Sequence, residues 1–275
     1  MNRTLAAWNW SLGELARSYQ TIVVLAVFMA LWMSAAYAWL GLPSESWAVL
    51  MFVSVLWAIV QILAAVVMVG GVVCGAAETA ISGSKAFPLA ALWTMGRKKI
   101  LTTLVFCAVA LTLAWLCNTI FDWINGHSVE VASFLTFHSE KPVSHELIGQ
   151  IYVVVERLLW IALAGFLLSF LTAILHLGWR EARRQALKLL AGNFFRPPFL
   201  TDLMTVAVFG GVAYELAIWH PLLGPGFWDY AQAIVRLSLI LILIAAGALY
   251  WPLALARLQL PAQDTAKEPE TYRNP

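Results

Sequence analysis

Four charged side chains fall at a comparable depth in the outer half of otherwise apolar segments, and they are the residues of this sequence best placed for chemistry. Glu156 and Arg157 lie together in one segment, Glu215 in the next and Arg236 in the last. A lone charge within a bilayer costs on the order of a few kcal/mol, so we expect Arg236 to pair with Glu215 or Glu156. Because no chain of acids continues toward the other side, we interpret this network as a lock between helices rather than as a path for a proton or substrate.

The histidines and cysteines match no pattern for a metal or haem site. Three histidines and three glutamates share one polar segment, but their separations differ from those of tight zinc ligands. They are His127, His138, His145, Glu130, Glu140 and Glu146. Haem needs facing axial ligands within helices, and only His176 lies near one. Because Cys74, Cys107 and Cys117 are single residues in apolar runs, they should behave as small hydrophobes. We therefore expect no metal, no haem and no other cofactor.

Sequence motifs of the common enzyme classes are also missing. The chain has no HExxH, no GxSxG and no glycine-rich phosphate-binding loop followed by lysine. A membrane enzyme can use a few scattered residues for its chemistry, but nothing in the sequence selects them. We therefore predict no catalytic residues and favour a protein that is not an enzyme, with a membrane-embedded lipid hydrolase as the third-ranked function.

The segments that carry these residues are predicted to be membrane-spanning helices. Of the 275 residues, 61% are apolar and 12% are charged, whereas soluble domains carry about 25% charged residues. Crossing about 30 Å of hydrocarbon takes about 20 apolar residues. Six segments qualify: 21–40, 47–75, 100–121, 148–176, 200–219 and 231–255. They are too long for membrane strands, so the sequence predicts an all-α polytopic bundle of about six spans.

Basic residues give the predicted orientation. Fourteen of the 17 Lys and Arg lie in the N-terminal segment, two loops and the C-terminal tail, and loops rich in these residues stay on the cytoplasmic side. We therefore expect both termini in the cytoplasm, with 122–147 as the one sizeable external loop. The predicted organisation is a cytoplasmic interfacial helix over 1–20, a single transmembrane domain over 21–257 and a disordered cytoplasmic tail over 258–275.

Three further features suggest contacts with lipid and between helices. An amphipathic segment carries Arg180, Arg183, Arg184 and Lys188. We expect it to rest on anionic headgroups, with a solvated extension of the fourth span as the alternative. Five glycines are expected at close helix contacts: Gly70, Gly71, Gly75, Gly210 and Gly211. Asp202 follows two prolines, so we place it in the first turn of a helix, where a carboxylate complements the helix dipole.

An internal repeat is visible at an offset of 99 residues. Without gaps, Leu101 and Thr102 meet Leu200 and Thr201, and the same offset overlays the second predicted helix on the fourth and the third on the fifth. Apolar segments also match by chance, but both helix pairs and both basic loops coincide. The repeat predicts two hairpins of one orientation, each with a long helix, a basic surface segment and a returning helix, flanked by the first and sixth spans.

The opening segment from Ser11 to Arg17, with paired Ala/Leu/Arg-rich segments before the third and fifth spans, resembles a broad group of small bacterial multi-pass membrane proteins. That group includes the membrane region attached to some glycerophosphodiester phosphodiesterases. The resemblance implies a protein of the bacterial cytoplasmic (inner) membrane. It carries over no catalytic residue, because it rests on composition and helix layout rather than on a catalytic motif.

A scaffold or accessory subunit of a membrane protein complex is the function that the sequence favours. The 14 Trp residues and the small-residue faces suit contacts between helices. Expected partners are membrane lipids and other membrane protein subunits or a second copy, while a net charge of +2 is too small to indicate nucleic acid. The alternative is a transporter or lipid-handling protein with a cavity between the two related hairpins.

Overall fold

Helices make up nearly all of the chain that the structure describes. The structure is a computed structural model, and it describes residues 2–41, 48–83, 87–139, 142–195, 197–219 and 227–259. The helices are α1 (Asn2–Arg17), α2 (Tyr19–Leu40), α3 (Ala48–Ser82), α4 (Leu89–Lys98), α5 (Ile100–Gly126), α6 (Ser128–Ser139), α7 (His145–Leu177), α8 (Trp179–Phe195), α9 (Pro197–Thr205), α10 (Gly211–Ile218) and α11 (Phe227–Gln259). A π-helical turn, Val206–Gly210, joins α9 to α10.

Six of these elements are long and apolar enough to cross a membrane. They are α2, α3 from Met51 onward, α5, α7, the continuous segment Pro197–Ile218 and α11. The predicted all-α polytopic bundle is confirmed, and the chain is a multi-pass membrane protein. Several boundaries differ: α3 continues to Ser82, α5 continues to Gly126, α11 extends over Phe227–Gln259, and the predicted external loop contains α6. Of the predicted tail, residues 260–275 lie outside the described ranges.

Local sequence signals set both ends of α7. The hydroxyl of Ser144 accepts the backbone N–H of Leu147 at 3.2 Å and so caps the first turn. Gly178 follows the last turn with φ of 85°, a left-handed conformation that glycine adopts without a steric penalty. The chain turns sharply there, and α8 packs back against α7.

Three long helices, α3, α7 and α11, contact one another and form the centre of the bundle. A surface helix packs on each of them: α4 on α3, α8 on α7 and α1 on α11. The shorter spans pack on these helices as well: α5 on α3, and α2 on α11. The fifth span contacts α7 through α9 and packs more extensively on α11. Each of the three long helices therefore contacts one surface helix and at least one shorter span.

The predicted repeat stays a prediction, and the helix contacts suggest a third group of helices beside the two predicted hairpins. The first and sixth spans, expected to flank two hairpins, belong to this third group, which combines α11 with α1 and α2. Arg257 of α11 contacts two other elements, because it donates to the carbonyl oxygen of Ala80 on α3 at 3.0 Å and lies over the ring of Trp10 on α1, 5.0 Å from its centroid. The last helix is thereby tied to both α3 and α1.

Buried side chains concentrate at the end of the bundle that holds α1, α4 and α8, which we call the basic end. In α5 the buried residues are Thr103 and Phe106, both close to that end. In α11 they run from Ala245 to Ala256. The opposite halves of the spanning helices leave large apolar side chains exposed, a surface that lipid accepts and water does not.

Candidate functional site

Glu156 on α7 is the acid of the predicted charge network whose side chain forms hydrogen bonds with other described residues. Its carboxylate accepts N–H groups from Asn125 at 3.3 Å and from Trp160 at 3.4 Å. Because Asn125 lies on α5, this contact joins two spans in the half of the bundle opposite the basic end. Glu156 therefore contributes to helix contact there.

The remaining members of the predicted network lie at the same half of the bundle. Arg157 and Glu215 are exposed. Arg236 is partly buried and donates to the backbone carbonyl of Trp219, just after α10. The pairing of Arg236 with Glu215 or Glu156 stays a prediction, as does the choice between a lock and a path.

The four basic residues of α8 have different surroundings. Arg184 forms an ion pair with Glu181 at 3.5 Å, while Arg180 and Arg183 are exposed. Lys188 lines a recess between α8 and four other helices. Their predicted contact with anionic lipid stays a prediction, and Lys188 is the one of the four that lines this recess.

Three of the five predicted packing glycines lie close to a neighbouring element. Gly70 lies against Thr103, Gly71 against the backbone of Leu92 and Gly75 against the ring of Phe87. Gly210 and Gly211 lie at the π-helical turn, and methyl groups added there would meet no described atom nearer than 3.7 Å. In that region it is Gly247 of α11 that makes the close approach, against Phe209.

Asp202 has a different place from the one expected. It is the sixth residue of α9, so it lies beyond the first turn, and the predicted role at the helix dipole is wrong. Its side chain is fully buried, and its Oδ1 accepts the indole N–H of Trp251 at 2.6 Å. Its Oδ2 is buried without a hydrogen-bond partner among the described residues. A carboxylate thus joins α9 to α11 inside the bundle.

Glycine makes room for this carboxylate. A methyl group added to Gly165 of α7 would overlap the Asp202 side chain. The adjacent Thr201 accepts the indole N–H of Trp8 at 2.8 Å, which fixes α1 to α9. Elements α1, α7 and α11 therefore all contact α9 around Asp202.

The repeat contains a signal for Asp202. The offset of 99 residues pairs it with Thr103 in a Leu-Thr-Thr-Leu stretch that matches Leu-Thr-Asp-Leu. Both side chains are fully buried, and each lies against a glycine of the long helix on which its own span packs, Gly70 for Thr103 and Gly165 for Asp202. The two stretches therefore differ at this position, because Asp202 places an acid where Thr103 has a buried hydroxyl.

Trp251 also lines an apolar cavity of about 500 Å³ between the spanning helices, which is open on one side and which we call the central cavity. Helices α2, α3, α5, α7 and α11 form its walls, and none of the described side chains that line it is charged. Representative lining residues are Leu25, Trp32, Val69, Phe106, Leu168 and Trp251. Because Asp202 holds the indole N–H of Trp251, the cavity meets mainly the apolar surface of that ring.

One irregular helical turn lines this cavity, and a second packs on α11 outside the cavity lining. Pro252 lies within α11 and has no N–H, so the carbonyl oxygen of Ala248 loses its usual helical donor. Both residues line the cavity. The π-helical turn packs on the same part of α11, where the ring of Phe209 lies 5.4 Å from that of Tyr250. Such turns recur at functional sites.

This arrangement suits the binding of an apolar group beside a rigid polar support. The cavity offers hydrocarbon contacts, while Asp202 and Gly165 fix the position of the Trp251 ring.

Within the described ranges, no group of three or more His, Cys, Asp and Glu residues could hold a metal ion. No family model, no curated protein and no solved structure matches this chain.

Proposed function

We propose that the protein binds the hydrocarbon chain of a membrane lipid in the central apolar cavity and so acts in lipid handling. The observation that carries this proposal is a cavity of about 500 Å³ lined by no charged side chain among the described residues. A polar solute would lose its hydrogen bonds with water on entering such a cavity, whereas a hydrocarbon chain would not. The cavity therefore favours a lipid chain over a polar substrate.

The position of the cavity also fits a lipid chain. Its lining residues on α7 run from Ala164 to Leu171, a length of about 10 Å at 1.5 Å per residue. Trp32 and Val69 line it and are 37% and 42% exposed. We place the entrance between α2 and α3, on the side that faces the surrounding lipid.

The cavity is the reason for ranking lipid handling above the scaffold function. A scaffold needs a solid bundle and an outer face for partner helices, and it gives no role to an apolar cavity that opens toward lipid. A lipid hydrolase needs carboxylates and histidine in one pocket, and the described residues that line this cavity include neither.

We further propose that the basic end faces the cytoplasm of a bacterial cell, with α6 outside. The proposal rests on the positive-inside rule applied to the basic residues of α1, α4 and α8. Ser133→Cys on α6 should react with an impermeant maleimide in intact cells, and Arg183→Cys on α8 only after lysis, in chains whose native cysteines are replaced. The reverse pattern would contradict this orientation.

Filling the cavity tests the proposed function directly. Ala164→Phe places an aromatic ring where the lipid chain should lie, while Ala108→Phe adds the same ring to an exposed position of α5. We expect native mass spectrometry to show a retained lipid on the wild-type chain and on Ala108→Phe. Ala164→Phe should lose most of that lipid and remain folded by circular dichroism.

Two results would count against lipid handling. Equal lipid retention by both variants would mean that lipid binds outside the cavity. A membrane protein that copurifies in a fixed ratio, with no lipid retained by any variant, would favour the accessory-subunit function instead.

A further inference from the structure

A second cavity, separate from the apolar one, opens at the basic end of the bundle. It has a volume of about 540 Å³ and lies between α1, α7, α8, α9 and α11. Its polar lining residues are Thr4, Thr172, Gln185, Lys188, Asn193 and Gln259. We call this cavity the basic recess. Because it involves the last turns of α7 and α11, it lies at the depth of the lipid headgroups.

The charge in the recess is positive. Lys188 is the charged residue among the described residues that line it. Glu181 lies next to the recess, where its carboxylate accepts the amide N–H of Gln185 at 3.1 Å. The same carboxylate forms the ion pair with Arg184, which offsets its negative charge. Lys188 is an exposed residue at the edge of the recess, and it forms no ion pair with a described acid.

Amide groups complete the polar wall. The Nε2 of Gln259 is buried without a hydrogen-bond partner among the described residues, although an unsatisfied buried donor is costly. Asn193 is 1% exposed and is fixed in place by hydrogen bonds with Ser169 and the carbonyl of Leu189. A fixed side chain, an amide donor with no partner among the described residues and a cation thus belong to three residues that line one space.

We propose that the basic recess binds a phosphate group, through Lys188 and the amide of Gln259, at the membrane surface. An ammonium group and an amide N–H are both donors, and phosphate oxygens are strong acceptors that match them. The same chemistry is present in the headgroup of an anionic phospholipid and in a free phosphate or phosphate ester. This inference does not rest on hydrocarbon binding in the central cavity, which has a different set of lining residues.

The recess also distinguishes Lys188 from the other basic residues of α8. All four are exposed, but Lys188 is the one that lines the recess, whereas Arg184 has Glu181 as its partner. These arginines attract any anionic surface in a diffuse way, which salt screens. Lys188 should instead discriminate between headgroups.

The test uses the full chain in a non-ionic detergent and two phospholipids with identical acyl chains, phosphatidylglycerol and phosphatidylcholine. Native mass spectrometry measures the affinity for each lipid, and calorimetry measures the affinity for inorganic phosphate. Lys188→Gln removes the cation from the recess, and Arg183→Gln removes an equal charge from the exposed face of the same helix. Gly192→Phe blocks the recess without a change of charge, since an added Cβ at Gly192 meets no described atom within 4 Å.

We expect Lys188→Gln to lower the affinity for phosphatidylglycerol by about tenfold, the effect of losing one charge-assisted hydrogen bond. Gly192→Phe should lower it by about as much, because the aromatic ring blocks the recess. Arg183→Gln should change it by less than about twofold. Loss of inorganic phosphate binding in the same two variants, without a lipid effect, would assign the recess to a free phosphate. Ala164→Phe should leave recess binding unchanged, which separates this site from the central cavity.

Two outcomes would overturn the proposal. One is an equal loss of affinity in Lys188→Gln and Arg183→Gln, which would indicate diffuse surface attraction. The other is no preference for phosphatidylglycerol over phosphatidylcholine together with no binding of inorganic phosphate.

Discussion

The hydrogen bond between Trp251 and Asp202 links the central cavity to the packing of the last two spanning segments. One face of the Trp251 residue lines the cavity, while its N–H is held by a fully buried carboxylate. The ring cannot turn away from the cavity without leaving both Asp202 oxygens unpartnered. The bond should therefore hold the cavity wall in one position.

Replacing Trp251 by Phe keeps an aromatic ring in the wall and removes its N–H donor. We expect the free energy of unfolding to fall by about 1–3 kcal/mol, because a buried acceptor then has no partner. Adding Asp202→Leu should recover part of that loss, since it removes the unpartnered acid. Denaturant unfolding in micelles, followed by circular dichroism, measures both effects. If the loss of stability in the double variant equals the sum of the losses in Trp251→Phe and Asp202→Leu measured singly, the bond contributes nothing to stability.

Gly165 offers a second test at the residue scale. Gly165→Ala should destabilise the fold by about 1–3 kcal/mol, because the new methyl group overlaps the Asp202 carboxylate and forces α7 and α9 apart. Gly149→Ala on the same helix is the matched control, since an added methyl group meets nothing within 4 Å there. It should be neutral or slightly stabilising, because alanine is the better helix former. Thermal unfolding of both variants decides the matter, and equal melting temperatures would contradict the close contact.

The sequence predicts some of these residues better than others. A charged residue in an apolar run is easy to find, so Glu156 and Arg236 stand out at once. Asp202 lies close to two prolines near a basic loop, and this setting suggests a helix end. Its burial depends on Gly165 and Trp251, which are 37 and 49 residues away along the chain, and single-sequence patterns do not reveal such partners.

At the element scale, the contact between α3 and α4 depends on the backbone approach at Gly71. Gly71→Ala should separate α4 from α3, because the added methyl group overlaps the carbonyl of Leu92. Hydrogen exchange measured by mass spectrometry should then rise in Leu89–Lys98 and stay unchanged in α8. Gly126→Ala, where the added methyl group has open space, is the control and should leave both surface helices protected. Unchanged protection of α4 in Gly71→Ala would refute the close approach.

Element boundaries follow from the sequence where hydropathy decides them, and differ where packing decides them. The predicted start of the third span and the end of the first span match α5 and α2 at one terminus each. The second span ends later than predicted, because Ala76, Ala77 and Ala80 are buried in a helix that continues past the apolar run. Small residues of this kind carry little hydropathy signal, although they allow close packing.

At the scale of the whole molecule, three groups of helices, each with one long helix, contribute residues to the lining of the central cavity. The offset of 99 residues aligns two of them, because α3 to α5 and α7 to α10 are continuous along the chain. The third group combines the last helix with the first two, so no single offset aligns it. The cavity is a property of all three groups together, and for that reason the sequence does not predict its apolar lining.

The binding of a lipid chain in that cavity is the central claim, and photo-crosslinking tests it most directly. A phospholipid with a diazirine in the middle of one acyl chain is added to the full-length protein. The sample is illuminated, and mass spectrometry then identifies the labelled residues. We predict adducts on cavity residues such as Val69, Phe106 and Leu168, which Ala164→Phe should abolish. Adducts confined to exposed outer residues such as Leu111 and Trp115, unchanged in Ala164→Phe, would contradict the claim.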